Sequence, residues 1–192
     1  MLIGNSITQG WGGSRTLTTY KPGQESADIH FKELKWINAG ISGDRTQHVA
    51  WRLENGSYEN CHPKFVSLAI GVNNFGANTA EEIAVGIQLD VKLIREKMPN
   101  ATLLFFGPLP VGLSKESGSR EKYDKVHKLI AHIGNNKATH YYNMISAFSD
   151  DKGQLKDDYY AGDGVHLIPG GYHIWGSFIK SQINKLEKNE NR

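Results

Sequence analysis

The chain has 192 residues, 22 Lys and Arg against 20 Asp and Glu, and a net charge of +2, which suits one domain, residues 1–192, with a core of its own. That balance gives no electrostatic footing for nucleic acid or an anionic membrane, and the longest apolar runs are too short to span a bilayer. Cys61 is the sole cysteine, which excludes an internal disulfide or a cysteine-rich metal site and leaves small-molecule chemistry as the expectation.

Residues 1–3 read as a strand shorter than the usual ~5–6 residues. Whether the natural strand begins upstream is left open. No charged segment followed by an apolar one is present; with a leader removed the protein would be secreted or periplasmic, and otherwise cytoplasmic. The glycine-rich LIGNSITQGWGG, residues 2–13, comes next, then a polar loop, residues 14–23, closed by Pro22 and Gly23. ESADIHFKEL predicts a helix with Ile29, Phe31 and Leu34 on its buried stripe, and KWINAG a short strand ending at Gly40. DRTQHVAWRLENG predicts a helix capped by Asp44, buried through Val49, Trp51 and Leu53 and stopped at Gly56. KFVSLAIG reads as a buried strand. In NTAEEIAVGIQLDVKLIREKM, Ile83, Ile87, Val91 and Ile94 recur at helical spacing, with Glu81 and Glu82 in the first turn. ATLLFFGPLP is the next strand, SREKYDKVHKLIAHI a helix, THYYNMI a strand, and PGGYHIWGSFIKSQINKL a final helix with proline near its start.

Alternating strands and helices predict an α/β domain with a parallel sheet covered by helices on both faces, without internal repeats. Such sheets bind ligands beyond the carboxyl ends of their strands, where Ser6, Gly43, Asn73 and the Pro108 loop fall.

Ser6 directly follows the first strand, so by position it is either an N-cap hydroxyl or a nucleophile. The glycines around it form neither a dinucleotide fingerprint nor a P-loop, and Thr8 stands where a nucleophile elbow requires glycine. A serine nucleophile needs a base held in one tautomer. Of eight histidines, His166 alone sits in a short non-periodic segment, GDGVHLIPGG, with an acid, Asp163, three residues before it. His48, His127 and His132 fall on predicted helices and are expected at the surface or partly buried, while His30, His62, His140 and His173 lack an acid in a matching loop. For an oxyanion, GISGDRT offers the Gly43 N–H and IGVNNFG the Asn73 amide; taken alone, each reads more readily as a turn residue. No H-E-x-x-H or EF-hand pattern occurs, so neither metal nor other cofactor is expected.

Taken together, Gly4-Asn5-Ser6, Gly43, Gly71-Val72-Asn73-Asn74 and Asp163-Gly164-Val165-His166 occur in the order and spacing of the four blocks of the SGNH, or GDSL-type, hydrolases. Residues 38–87 resemble the catalytic subunits of the platelet-activating-factor acetylhydrolase type Ib group and their bacterial acylhydrolase relatives. The resemblance implies a flavodoxin-like three-layer αβα sandwich and a metal-free serine esterase. In it Ser6 would be the nucleophile, His166 the general base and Asp163 its orienter, with the Ser6 and Gly43 N–H groups and the Asn73 amide as the oxyanion hole. Asn5 stands where the family carries aspartate, keeping an acceptor oxygen and losing the charge. Asn5, Trp11 and Asn74 are candidate substrate contacts, and Trp11 and Tyr20 are candidate stacking faces for a sugar-like alcohol. The expected substrate is a short acyl ester, an O-acetylated sugar among the candidates. Acyl transfer by the same residues, a lipase- or lysophospholipase-like esterase and a silent binding module are the alternatives, and a homodimer is left open.

Overall fold

In a computed structural model that describes residues 1–14 and 18–190, the elements run β1 (Leu2–Gly4), α1 (Ser6–Gln9), α2 (Gln24–His30), β2 (Asn38–Gly40), α3 (Thr46–Asn55), β3 (Phe65–Ala69), α4 (Ala80–Lys97), β4 (Thr102–Gly107), α5 (Gly118–Ile130), β5 (Asn135–Asn136), β6 (Thr139–Tyr141), α6 (Ile145–Phe148) and α7 (Pro169–Glu190). The sheet order is β2-β1-β3-β4-β6-β5. The first five strands in that order are parallel, as expected. The sequence reading did not include β5, which pairs antiparallel with β6; two residues are too few to show an alternation.

Both sheet faces are buried, and the period-2 geometry of a strand sends neighbouring residues to opposite layers. Leu2, Leu104 and Phe106 pack with α7 residues Trp175, Ile179 and Ile183, whereas Ile3, Leu103 and Phe105 pack with residues of α3, α4 and α5. Helix α4 follows its predicted register: Ile83, Ile87, Val91 and Ile94 are all buried. Thr79 and Glu82 close a capping box at its start, each side chain accepting from the other's backbone N–H.

Four expectations are corrected. Ile29 is exposed, because the short α2 turns Ala27 inward and leaves Phe31 to fill the core just beyond its end. Trp51 is 65% exposed: Val49, Ala50 and Leu53 form the buried stripe of α3, and residue 51 lies about 200° around the helix from residue 49. Asp44 does not cap α3. Arg45 is the N-cap, its backbone N–H donating to His48 Nδ1 at 3.1 Å, while Asp44 is buried against Arg52. His127 is fully enclosed between α5 and the sheet, next to Tyr141 Oη at 2.7 Å and the Pro108 carbonyl at 3.0 Å. Burial lowers its pKa to about 4, against the opposing pull of that carbonyl. Among the described residues, no helix is long and apolar enough to cross a membrane.

Asp90 on α4 is the polar residue most out of place in this core. It is fully buried, and neither carboxylate oxygen has a hydrogen-bond partner. Burial pushes its pKa from 3.8 up to about 9; Arg52 pulls it down and Asp44 pushes it further up. Between those two values the folded state holds a proton that the unfolded chain has released, so stability declines as pH rises through that window. Asp90→Asn removes this titration. Its melting temperature should match wild type near pH 4 and exceed it by roughly 10 °C or more at pH 8, as followed by thermal denaturation across pH; a difference that does not change with pH would refute a neutral Asp90.

Candidate active site

The end of β1 leads directly into α1, and Ser6 is the first residue of that helix. Asn5, buried beside it, is the N-cap: its Oδ1 accepts from the Ile7 N–H at 3.0 Å. Four residues cannot hold a helix by themselves, and side chains from elsewhere supply the rest. Asn38 Nδ2 donates to the carbonyls of Thr8, Gln9 and Gly12 at 3.0, 3.1 and 2.9 Å, and Tyr172 Oη on α7 donates to the Ile7 carbonyl at 2.6 Å.

Opposite Ser6, residues 161–166 form a closed turn. The Ala161 N–H donates to the His166 carbonyl at 2.8 Å and the Gly164 N–H to the Ala161 carbonyl at 2.9 Å. The loop after β4 supports this turn through the Gly112 N–H, which donates to the Gly164 carbonyl at 3.0 Å. The Pro108 loop thus buttresses the site from behind. Ser6 Oγ lies 2.9 Å from His166 Nε2, and His166 Nδ1 lies 2.6 Å from Asp163 Oδ2. Asp163 Oδ1 also accepts from the Val165 and His166 N–H groups, both at 2.9 Å. Partial burial pushes the Asp163 carboxyl up, but the hydrogen bonds from the His166 ring and the two amides outweigh it, leaving the group below its usual value and ionised at neutral pH.

Two further polar groups come from the ends of neighbouring strands. After β2 the chain turns through Gly43 at φ +82°, a left-handed conformation that favours glycine. After β3, Gly71 at φ +122° starts a one-turn 3-10 helix, Val72–Asn74. There Asn73 Nδ2 donates to the Asp44 carbonyl at 2.8 Å, which occupies one of its two amide hydrogens. The Ser6 N–H, first in α1, has no partner within its own helix.

A cavity of about 390 Å³ opens over Ser6 and His166 and is lined in part by Gln9, Thr18, Tyr20, Ser42 and Leu167. Sequence reasoning missed Gln9, although it lies three residues beyond Ser6 and hence on the same helical face. Tyr20 is 62% exposed and belongs to this rim. Three expected substrate contacts face elsewhere. Trp11 is 0% exposed, enclosed by Phe31, Tyr172 and Trp175 with ring centroids 5.0, 4.9 and 5.3 Å away. Asn5 is spent on its cap. Asn74 is buried, its Oδ1 accepting from the Thr46 N–H at 3.1 Å and its Nδ2 donating to Gln47 and Asn78. Residues 15–17 of the adjoining polar loop lie outside the described residues. Among the described residues, no three His, Cys, Asp or Glu side chains gather to hold a metal ion.

Fold and site together define an α/β protein of the SGNH-hydrolase fold, with its serine, histidine and aspartate in line at the carboxyl edge of the sheet. The chain belongs to the GDSL-like lipase/acylhydrolase family, whose sequence profile matches residues 2–174. It is 38% identical over 144 residues to the bovine platelet-activating factor acetylhydrolase IB subunit alpha1, covering 74% of this chain and 60% of that protein. It is 45% identical over 100 residues to the human alpha2 subunit, covering 52% and 43%; the chain thus matches less than two thirds of these relatives' length. Two solved structures share its fold. A GDSL-like lipase from Bacteroides thetaiotaomicron superposes with a TM-score of 0.74 at 21% identity, covering 96% of this chain and 86% of the other. A catalytic mutant of an acetylxylan esterase from Geobacillus stearothermophilus gives 0.72 at 19%, covering 95% and 92%.

If Asn5 serves as a cap, Asn5→Ala should cost about 1 kcal/mol, a fall of ~2–4 °C in melting temperature by calorimetry, with the Michaelis constant for a small ester unchanged. A raised Michaelis constant at unaltered stability would return Asn5 to the substrate.

Proposed function

We propose that this chain is a serine esterase that removes short acyl groups, acetyl above all, from a carbohydrate or another small polar alcohol through an acyl-enzyme on Ser6. One observation carries the reading: the hydrogen-bonded series Ser6, His166, Asp163, with steps of 2.9 and 2.6 Å, opening on a solvent-accessible cavity. A serine hydroxyl is a poor nucleophile until a base removes its proton. As Ser6 Oγ attacks the acyl carbon, His166 Nε2 takes the proton, and Asp163 holds the ring through Nδ1–H and stabilises the imidazolium. The negative charge that gathers on the carbonyl oxygen meets the Ser6 N–H, the Gly43 N–H and the free hydrogen of the Asn73 amide. The intermediate collapses, the alcohol leaves with the proton from His166, and water, activated by the same base, releases the acid. These steps use only the chain's own groups.

The small-acyl preference draws support from two sources. The relatives at 38% and 45% identity are named acetylhydrolases. Among the described residues, the cavity rim carries the polar side chains of Gln9, Thr18 and Ser42, and its apolar lining is confined to Ala161, Leu167 and the rings of Tyr20 and Tyr172, which suits a short acyl group better than a long one, since each methylene contributes about 0.8 kcal/mol only where it leaves water. The exposed Tyr20 ring offers a face on which a sugar could stack.

Ser6→Ala and His166→Ala should each lower kcat on p-nitrophenyl acetate by ~10³-fold or more while the fold survives, and Asn73→Ala should lower it by about 10²-fold with little change in KM. Steady-state kinetics with circular dichroism checks both, and near-wild-type turnover in either of the first two variants would end the nucleophile assignment. Along a series of p-nitrophenyl esters, kcat/KM should fall from acetate through butyrate to octanoate. A preference for octanoate would point to a lipase-like enzyme.

A further inference from the structure

Two of the three proposed oxyanion donors, the Gly43 N–H and the Asn73 amide, lie on short hydrogen-bonded turns that meet at Asp44. A side chain added at Gly43 would meet nothing within 4 Å, and the turn that carries its N–H is closed by the Asp44 N–H donating to the Ile41 carbonyl at 3.2 Å. On one side the Ser42 N–H donates to Gln9 Oε1 at 2.8 Å. On the other stands Asp44, whose backbone carbonyl also accepts from Asn73 Nδ2 at 2.8 Å. Asp44 thus borders Gly43 in the chain and also holds the Asn73 amide through its carbonyl.

The Asp44 side chain is held by one short contact, Arg52 Nη2 to Asp44 Oδ2 at 2.6 Å, with side chains 15% and 9% exposed. Arg52 is tied in turn to the sheet, Nη1 donating to the Ala39 carbonyl at 3.1 Å and to Tyr58 Oη at 3.0 Å. A charge-assisted bond between largely buried groups is short and directional, and its rigidity passes to whatever the aspartate holds. The His48 ring, 3.8 Å from Asp44 Oδ1 and 59% exposed, is a looser neighbour. We propose that Arg52 is a positioning residue for the oxyanion hole, acting through Asp44 on Gly43 and Asn73 without touching substrate. The proposal rests on the esterase reading given above.

The test uses the full chain with p-nitrophenyl acetate and a double-mutant cycle. Arg52→Met should lower kcat roughly tenfold or more, because displaced donors lose much of what a deleted donor loses, with KM within about twofold of wild type, as expected for an interaction made only in the transition state. Arg52→Lys, which can keep one charged donor on Asp44 but gives up the Nη1 bonds to Ala39 and Tyr58, should recover part of the loss. In the Arg52→Met/Asn73→Ala double variant the losses should not multiply: kcat should fall by no more than about threefold below Asn73→Ala alone, since both act on one device. Melting temperatures separate this from plain destabilisation, and if Arg52→Met fails to fold, Asp44→Asn enters the same cycle with its shape retained. Unchanged kcat in a folded variant, multiplicative losses, or a kcat that falls only with the folded fraction would overturn the proposal. Wild-type protein inert toward esters would instead overturn the esterase reading itself.

Discussion

Everything at this site depends on holding a four-residue helix still. A helix of one turn fixes several dihedrals for one or two internal hydrogen bonds and does not persist in water, yet α1 carries Ser6, whose hydroxyl must stay within reach of His166. The protein fastens it at both ends: Asn5 caps the start, Asn38 draws in three carbonyls at the far end, and Tyr172 grips the middle. None of these groups takes part in the proposed chemistry. They spend buried polar side chains on backbone carbonyls and one amide, an arrangement stable only because the partners satisfy one another away from water.

The sheet supplies the common origin. Parallel strands end on one edge, so β1, β2 and β3 release their chains side by side and their first turns meet there. Each turn delivers one group: Ser6 after β1, Gly43 after β2, Asn73 after β3. The histidine arrives from the far end of the chain on a turn closed by its own backbone bonds and braced by the loop after β4. Behind this edge the layer between α3 and α4 holds an unusual set of charges, with Asp44 and Arg52 paired and Asp90 kept neutral by burial. A buried pair of this kind is weak evidence of stabilisation, because desolvation offsets much of its attraction; holding the loop it borders in one geometry is the more economical account of its presence.

Much of this was legible in the sequence where the governing interactions are local or periodic. Helix α4 was readable because its apolar residues repeat with the helical period and two acidic residues, Glu81 and Glu82, sit in its first turn. Asp163 and His166 were readable because three residues in a tight turn bring them together without help from the rest of the chain. Periodicity worked less well in short elements: α2 and α3 bury only part of what a longer stripe would, which is why Ile29 and Trp51 were misplaced and the two-residue β5 went unnoticed. Trp11 and Asn74 carry aromatic or polar groups suited to a ligand, and nothing in their immediate neighbours discloses that distant residues already occupy those groups, whereas Asn5 is occupied locally, by the Ile7 N–H.

The sequence by itself therefore determined the order of strands and helices, the layered architecture that follows from their alternation, and the residue types available for acyl chemistry, because pattern and short-range contact suffice for these. Only the tertiary structure decided which of those residues share a site. The Ser6–His166 contact joins positions 160 residues apart, Tyr20 rather than Trp11 reaches the cavity, and Arg52 meets Asp44 behind it. In irregular segments no period assigns a side chain to a face, so its direction is set by whichever distant groups pack against it.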